Sequence, residues 1–100
     1  MTTVRVALPT HLRTLAGVEG DIALELSDNP TIGDVLSSLE GTYPVLRGTI
    51  RDHGTLRRRA FMRYFACEQD LSHEPLETAL PQPVVAGTEV FRVVGAIAGG

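Results

Sequence analysis

Gly99 and Gly100 close the sequence and carry the one group whose chemistry the residue order isolates. A glycine carboxylate at a chain end is the least hindered carboxylate a protein can present to an ATP α-phosphate or to an incoming nucleophile. Lacking Cβ atoms, the pair can adopt most backbone angles and let the main chain approach a ligand closely, as a narrow channel in another enzyme would require. Four small or apolar residues, Gly95-Ala96-Ile97-Ala98, lead into it. Fully extended, the six residues reach ~20 Å at ~3.3 Å each. At ordinary glycine usage, about one chain in 200 would end in two glycines by chance. The pair therefore gains meaning only from the elements that position it.

Other candidate chemistry is thinner. All nine basic residues are Arg, so a lysine Schiff base or lysine general base is excluded. Cys67 is single and stands beside Glu68 rather than a cation, so a structural or incidental role is expected. His11, His53 and His73 are widely spaced and lack the short repeat that sets two ligands on one helix face, so no metal site is expected. Ser37-Ser38 has no visible partner for nucleophilic catalysis.

Composition sets the frame. A chain of 100 residues holds one core, and 43% hydrophobic with 21% charged residues lies within the globular range. A net charge of −3 argues against general nucleic-acid affinity, and the basic stretch Arg57, Arg58, Arg59 and Arg63 is expected to form a solvated loop. No apolar run nears the roughly 18–20 residues that span a bilayer, and Met1-Thr2-Thr3-Val4-Arg5 lacks a secretory pattern. A cytoplasmic location without membrane association is expected, and a lone cysteine fits a reducing compartment.

Alternation of Val4, Val6 and Leu8 predicts a strand that Pro9 ends. After an expected loop through Leu12 and Leu15, Ile22, Leu24 and Leu26 repeat the pattern. Thr31 and Asp34 form a capping-box signature, and Ile32, Val35, Leu36 and Leu39 follow at helical spacing, which predicts a helix to about Glu40 closed by Gly41. Tyr43 to Ile50 reads as a short helical turn. Ala60 to Ala66 reads as a strand with Cys67 to Asp70 as its turn, and Leu71 to Gly87, with three prolines, as loops holding a single turn. Glu89 to Val94 is the last strand.

One helix among these strands must bury its stripe on one sheet face, giving a two-layer α+β domain. The element order is that of the ubiquitin-like β-grasp fold: a mixed four- to five-stranded sheet on one main helix. Residues 1–94 form the expected domain and 95–100 a flexible tail. If Phe91 and Val93 face the core, Val90, Arg92 and Val94 lie on the opposite face beside Ile97, an apolar patch with an arginine of the kind partners bind.

The motifs Val4-Arg5-Val6-Ala7-Leu8-Pro9, Thr31-Ile32-Gly33-Asp34-Val35-Leu36, Phe61-Met62-Arg63-Tyr64-Phe65, Glu68-Gln69-Asp70-Leu71 and Ala96-Ile97-Ala98-Gly99-Gly100 resemble, end to end, the family of the molybdopterin-synthase small subunit and the thiamine sulfur carrier (MoaD/ThiS). Leu8-Pro9-Thr10-His11-Leu12-Arg13 looks most like its cysteine-biosynthesis branch. The resemblance implies a carrier rather than an enzyme. An activating enzyme uses ATP to adenylate Gly100, sulfur replaces AMP to leave a thiocarboxylate, and a downstream synthase accepts that sulfur for cysteine, molybdopterin, thiamine or a related product. No permanently bound cofactor is implied. A ubiquitin-like modifier joined through Gly100, or an interaction module with an inert tail, are the competing expectations. Departures from the family pattern are Gly95, where relatives often carry proline, the strand turn Cys67-Glu68, where relatives often carry Asn-Gly, and the proline-rich stretch from His73 to Pro83.

Overall fold

Alternation in the first strand is realised as β1, Thr2–Ala7, which buries Val4 and Val6 and pairs antiparallel with β2, Ile22–Leu26, in the register Thr2 to Leu26 through Val6 to Ile22. This is a computed structural model that describes residues 1–95. Between these strands, where a loop is expected, lies α1, Thr10–Ala16. Its N-cap is the extended Pro9, whose carbonyl accepts the N–H groups of Leu12 and Arg13, both at 3.0 Å. Gly17 closes it at φ +72°, a left-handed conformation that glycine adopts without a Cβ clash. One buried apolar residue, Leu12, anchors this short helix, too little to show as a periodic pattern.

The main helix, α2, spans Ile32–Thr42 and buries Ile32, Val35, Leu36 and Leu39. Its capping box is complete: the Asp34 N–H donates to Thr31 Oγ1 at 3.1 Å and the Thr31 N–H donates to Asp34 Oδ2 at 2.9 Å. Gly41 does not end it. Pro44 does, because a residue before proline is driven out of helical angles, and Tyr43 sits at φ −126°, ψ 79°. A single 3-10 turn follows at Pro44–Leu46.

Strand β3, Met62–Ala66, turns through Cys67 and Glu68 into β4, Gln69–Asp70, so the expected four-residue turn is in fact two residues followed by a strand. Both turn residues have positive φ, 53° and 63°, which matches the strand twist in a tight hairpin. After the short α3, Gln82–Val85, the chain returns as β5, Phe91–Gly95. Gly95, expected to start the tail, is the last residue of this strand and pairs with Met62.

The sheet order is β2-β1-β5-β3-β4, with β5 parallel to β1 and antiparallel to β3. This mixed five-stranded sheet with its helical layer is the α+β architecture read from the element order. Helix α2 and the inner residues of the strands, among them Phe91, Val93, Met62 and Tyr64, form one core. Arg63, Arg92 and Val94 occupy the other, exposed face.

Two carboxylates, Asp52 in a turn and Asp70 at the end of β4, are held by nearby donors. Asp52 Oδ1 accepts the N–H groups of Thr55 and Gly54 at 2.8 and 2.9 Å, and these hold its carboxyl below the usual range. Ser72, through its hydroxyl and its N–H, does the same for Asp70. A pKa depressed on folding contributes stability that is present above the unfolded value of about 3.9 and is lost as pH falls through the folded value. Carboxyl NMR titration should find both groups ionising below that unfolded value. An Asp52→Asn variant should lose its share of the acid-limb dependence, and an ordinary Asp52 titration would refute the loop's role.

Candidate functional site

The parallel pairing of β1 with β5 decides what flanks the end of β5. Val6 stands beside Phe91 and Ala7 beside Arg92, so the end of β5 runs next to Pro9 and the first turn of α1. A Cβ built on Gly95 would lie 2.9 Å from His11 Cε1, 3.5 Å from Met62 Sδ and 3.6 Å from Pro9 Cγ. Glycine here lets the His11 ring close over the strand end. That reason for Gly95 is invisible in the sequence, where the residue reads as the first of a tail. Leu8, Pro9, His11, Arg92 and Val94 border a hollow of about 400 Å³ at this end of the sheet.

Val90, Arg92 and Val94 are brought together as expected. Phe91 and Val93 are buried, Arg92 and Val94 are exposed, and Val90 is half-buried just before the strand. With Phe65 and Glu89 they line a shallow hollow of 390 Å³. Register explains the company: Phe65 pairs with Arg92 and Arg63 with Val94 across β3 and β5, which puts aromatic, aliphatic and guanidinium groups on one open face. Phe61, 58% exposed just before β3, and Val94, 41% exposed, are large apolar residues left on the surface. The sequence did not single out Phe61 or Phe65 for this face, although the alternation in β3 was the signal for it. Ile97, Gly99 and Gly100 lie outside the described residues.

Arg57, Arg59 and Arg63 are exposed, as expected of a solvated stretch, but Arg63 lies on β3 and Arg58 is half-buried. Arg58 donates through Nε to the Ser72 carbonyl at 3.0 Å and through Nη1 to the carbonyls of Met62 and Arg59 at 2.7 and 3.2 Å. Arg59 Nε donates to the Gly48 carbonyl. Beyond the reach of β4, the Arg58 bond to Met62, the Ser72 hydroxyl, which accepts the Tyr64 N–H at 2.9 Å, and the Leu71 N–H, which donates to the Tyr64 carbonyl at 2.7 Å, serve the outer edge of β3. Within this stretch only Arg57 leaves its guanidinium without a partner among the described residues.

His11 lies in α1 and His53 and His73 in separate turns, all exposed. Among the described residues no three His, Cys, Asp or Glu side chains gather as a metal cluster would require, and no helix is long and apolar enough to cross a membrane. Cys67 is half-buried in the hairpin turn. Ser37 serves the fold, since its hydroxyl accepts a bond from Arg51 at 3.2 Å.

No protein-family model matches the chain, and no curated protein matches it by sequence. Solved structures match it along its whole length. The small archaeal modifier protein 1 of Methanosarcina acetivorans is 26% identical with a TM-score of 0.72, covering 100% of this chain and 98% of that one. SAMP1 from Haloferax volcanii is 16% identical with a TM-score of 0.75, covering 98% and 99%. A chain of the Amycolatopsis orientalis BexX/CysO complex is 20% identical with a TM-score of 0.72, covering 97% and 99%. The fold is therefore the ubiquitin-like β-grasp, and the resemblance to MoaD/ThiS proteins is consistent with these neighbours.

Proposed function

We propose that this protein is a sulfur carrier whose working group is the carboxylate of Gly100. The observation that carries the reading is the end-to-end β-grasp likeness to small modifier proteins and to a chain of the BexX/CysO complex, joined to a Gly-Gly pair four and five residues after the end of β5 in the sequence. In the proposed cycle a carboxylate oxygen of Gly100 attacks the ATP α-phosphorus in an activating enzyme and pyrophosphate leaves. A sulfur nucleophile then attacks the acyl carbon and AMP leaves, yielding the thiocarboxylate that a downstream synthase consumes.

Activation is needed because a free carboxylate is a poor electrophile, whereas a mixed anhydride with AMP carries a good leaving group. The carrier's own contribution is delivery, in which a docked domain converts a bimolecular encounter into a local one. A chain without lysine has no side-chain amine to capture its own activated end.

Incubation with ATP and an activating enzyme, followed by mass spectrometry, tests the cycle: an acyl adenylate, and with a sulfur donor a thiocarboxylate, are expected on Gly100. The name of the archaeal neighbours favours a second reading, conjugation of Gly100 to lysines of target proteins. Material purified from its native cells would then carry isopeptide-linked adducts in place of the thiocarboxylate. An inert tail would give neither product.

Docking is assigned to the face of Val90, Arg92 and Val94. A double variant, Arg92→Asp with Val94→Asp, should weaken binding to the activating enzyme about tenfold or more, because it puts two anions where an apolar and cationic surface stood. Both positions are exposed, so the variant should fold normally. Calorimetry showing unchanged affinity would remove this face from the interface.

A further inference from the structure

The five-stranded sheet has two edges, and the chain protects them unequally. On one side, where β4 stops short, Arg58, the Ser72 hydroxyl and the Leu71 N–H bond the outer edge of β3. On the other side lies β2, Ile22–Leu26, which pairs with β1 alone. In an antiparallel pair every second residue of an edge strand turns its N–H and C=O away from the neighbouring strand. Among the described residues no backbone group outside β1 bonds the main chain of β2. This edge is a template for one more strand.

Charge decides what that strand can be. Alternation buries Ile22, Leu24 and Leu26 and leaves Asp21, Ala23 and Glu25 exposed, so two carboxylates stand four residues apart with a small residue between them. Asp21 makes no ion pair among the described residues, and Glu25 accepts only the Thr3 hydroxyl, at 2.6 Å. Exposed Glu19 and Asp28 extend the acidic margin on either side, with Asp28 paired to the Met1 amine at 3.4 Å. No basic residue occurs between Arg13 and Arg47. Arg5, which faces Ala23 in the β1 register, donates instead to the Gly87 carbonyl at 2.9 Å. A second copy would set these carboxylates against themselves on chains of net charge −3, which disfavours pairing. A basic segment would meet them with opposite charge.

We propose that the outer edge of β2 binds an extended basic peptide of a partner protein by strand addition, with cationic residues four apart opposite Asp21 and Glu25. Main-chain bonds to β2 give the affinity. The spacing gives the selectivity, because residues i, i+2 and i+4 of a strand share one face, and the middle residue then faces Ala23. Strand β1 separates this edge from β5, so the site is distinct from the face of Val90, Arg92 and Val94.

Amide NMR shifts of the full chain, followed while the end-blocked peptide Thr-Arg-Val-Thr-Val-Arg-Thr is added at low salt, provide the test. Saturable shifts centred on residues 21–26 are expected, with a Kd near or below about 1 mM. N-methylation of alternate peptide residues removes the donors of one peptide edge at a time. Of the two alternating forms, one should bind at least about tenfold more weakly and the other within about threefold of the parent. The peptide with Glu in place of Arg should not saturate by about 10 mM, and the double variant Asp21→Asn with Glu25→Gln should weaken binding of the Arg peptide about fivefold. Equal binding of the two methylated forms would reduce the contact to charge attraction without strand addition and overturn the proposal. It would equally be overturned by the absence of saturable shifts with the Arg peptide up to about 10 mM, by an affinity unchanged in the double variant, or by a free chain already dimeric through the β2 amides. None of these readouts involves Gly100, so the outcome is separate from that of the sulfur-carrier proposal.

Discussion

A chain lacking Gly99 and Gly100 is expected to lose ATP-dependent adenylation by at least about a thousandfold while keeping its melting temperature. The first half follows from the chemistry: truncation moves the carboxylate two residues, ~7 Å, short of the active site and leaves Ala98 at the end, with a Cβ next to the reacting carbon. The second half follows from the fold, whose core, sheet register and capping among the described residues are complete without Gly99 and Gly100. Pyrophosphate release with the activating enzyme measures the loss, and thermal unfolding measures the stability. A full-length double variant, Gly99→Ala with Gly100→Ala, separates reach from steric fit, and activity between that of the truncated and the native chain is expected. Full adenylation of the truncated chain would end both the carrier and the modifier readings, since each requires the same activated carboxylate.

Loss of Arg51 should be the most damaging single change away from the apolar core. Its Nε and Nη2 donate to the two carboxylate oxygens of Glu40, both at 2.9 Å, and both side chains are largely buried. This pair ties the last turns of α2 to the segment after Ile50, and Ser37 completes the guanidinium's bonds. Arg51→Ala strands the Glu40 carboxylate in a poorly solvated place, which costs about 3 kcal/mol. For a domain of this size that lowers the melting temperature by roughly 15 °C. Replacing both residues, Arg51→Met with Glu40→Leu, should recover most of the loss, because the desolvation penalty disappears along with the attraction. Urea unfolding of the two singles and the double closes the cycle. A cost below about 1 kcal/mol for Arg51→Ala would show that the pair behaves as a solvated surface contact.

Much of this was legible in the residue order because it is local. Strand alternation at Val4, Val6 and at Ile22, Leu24, Leu26, the capping box of Thr31 and Asp34, and the helical spacing from Ile32 to Leu39 each depend on a few neighbouring residues. Helix α1 was not legible because a seven-residue helix with one buried side chain leaves no periodic trace, although Pro9 and Gly17 bracket it. The extension of α2 past Gly41 was missed for a related reason. Glycine in a helix is only mildly unfavourable, and the proline three positions later sets the true end.

By itself the sequence determined the candidate chemistry: the Gly-Gly end, the absence of lysine, and the outward set Val90, Arg92 and Val94. Tertiary structure alone decided their neighbours. The parallel pairing of β1 with β5 carries His11 to Gly95, 84 positions along the chain, and the register of β3 on β5 adds Phe65 to the face of Arg92. It also turned a run of arginines into two that clamp backbone carbonyls, Arg58 on Ser72 and Arg59 on Gly48, and one, Arg57, whose guanidinium has no partner among the described residues. Residue types and local spacing state which groups can react or cap. Which groups meet depends on strand order and register, and those are settled by how the two layers close over a shared core.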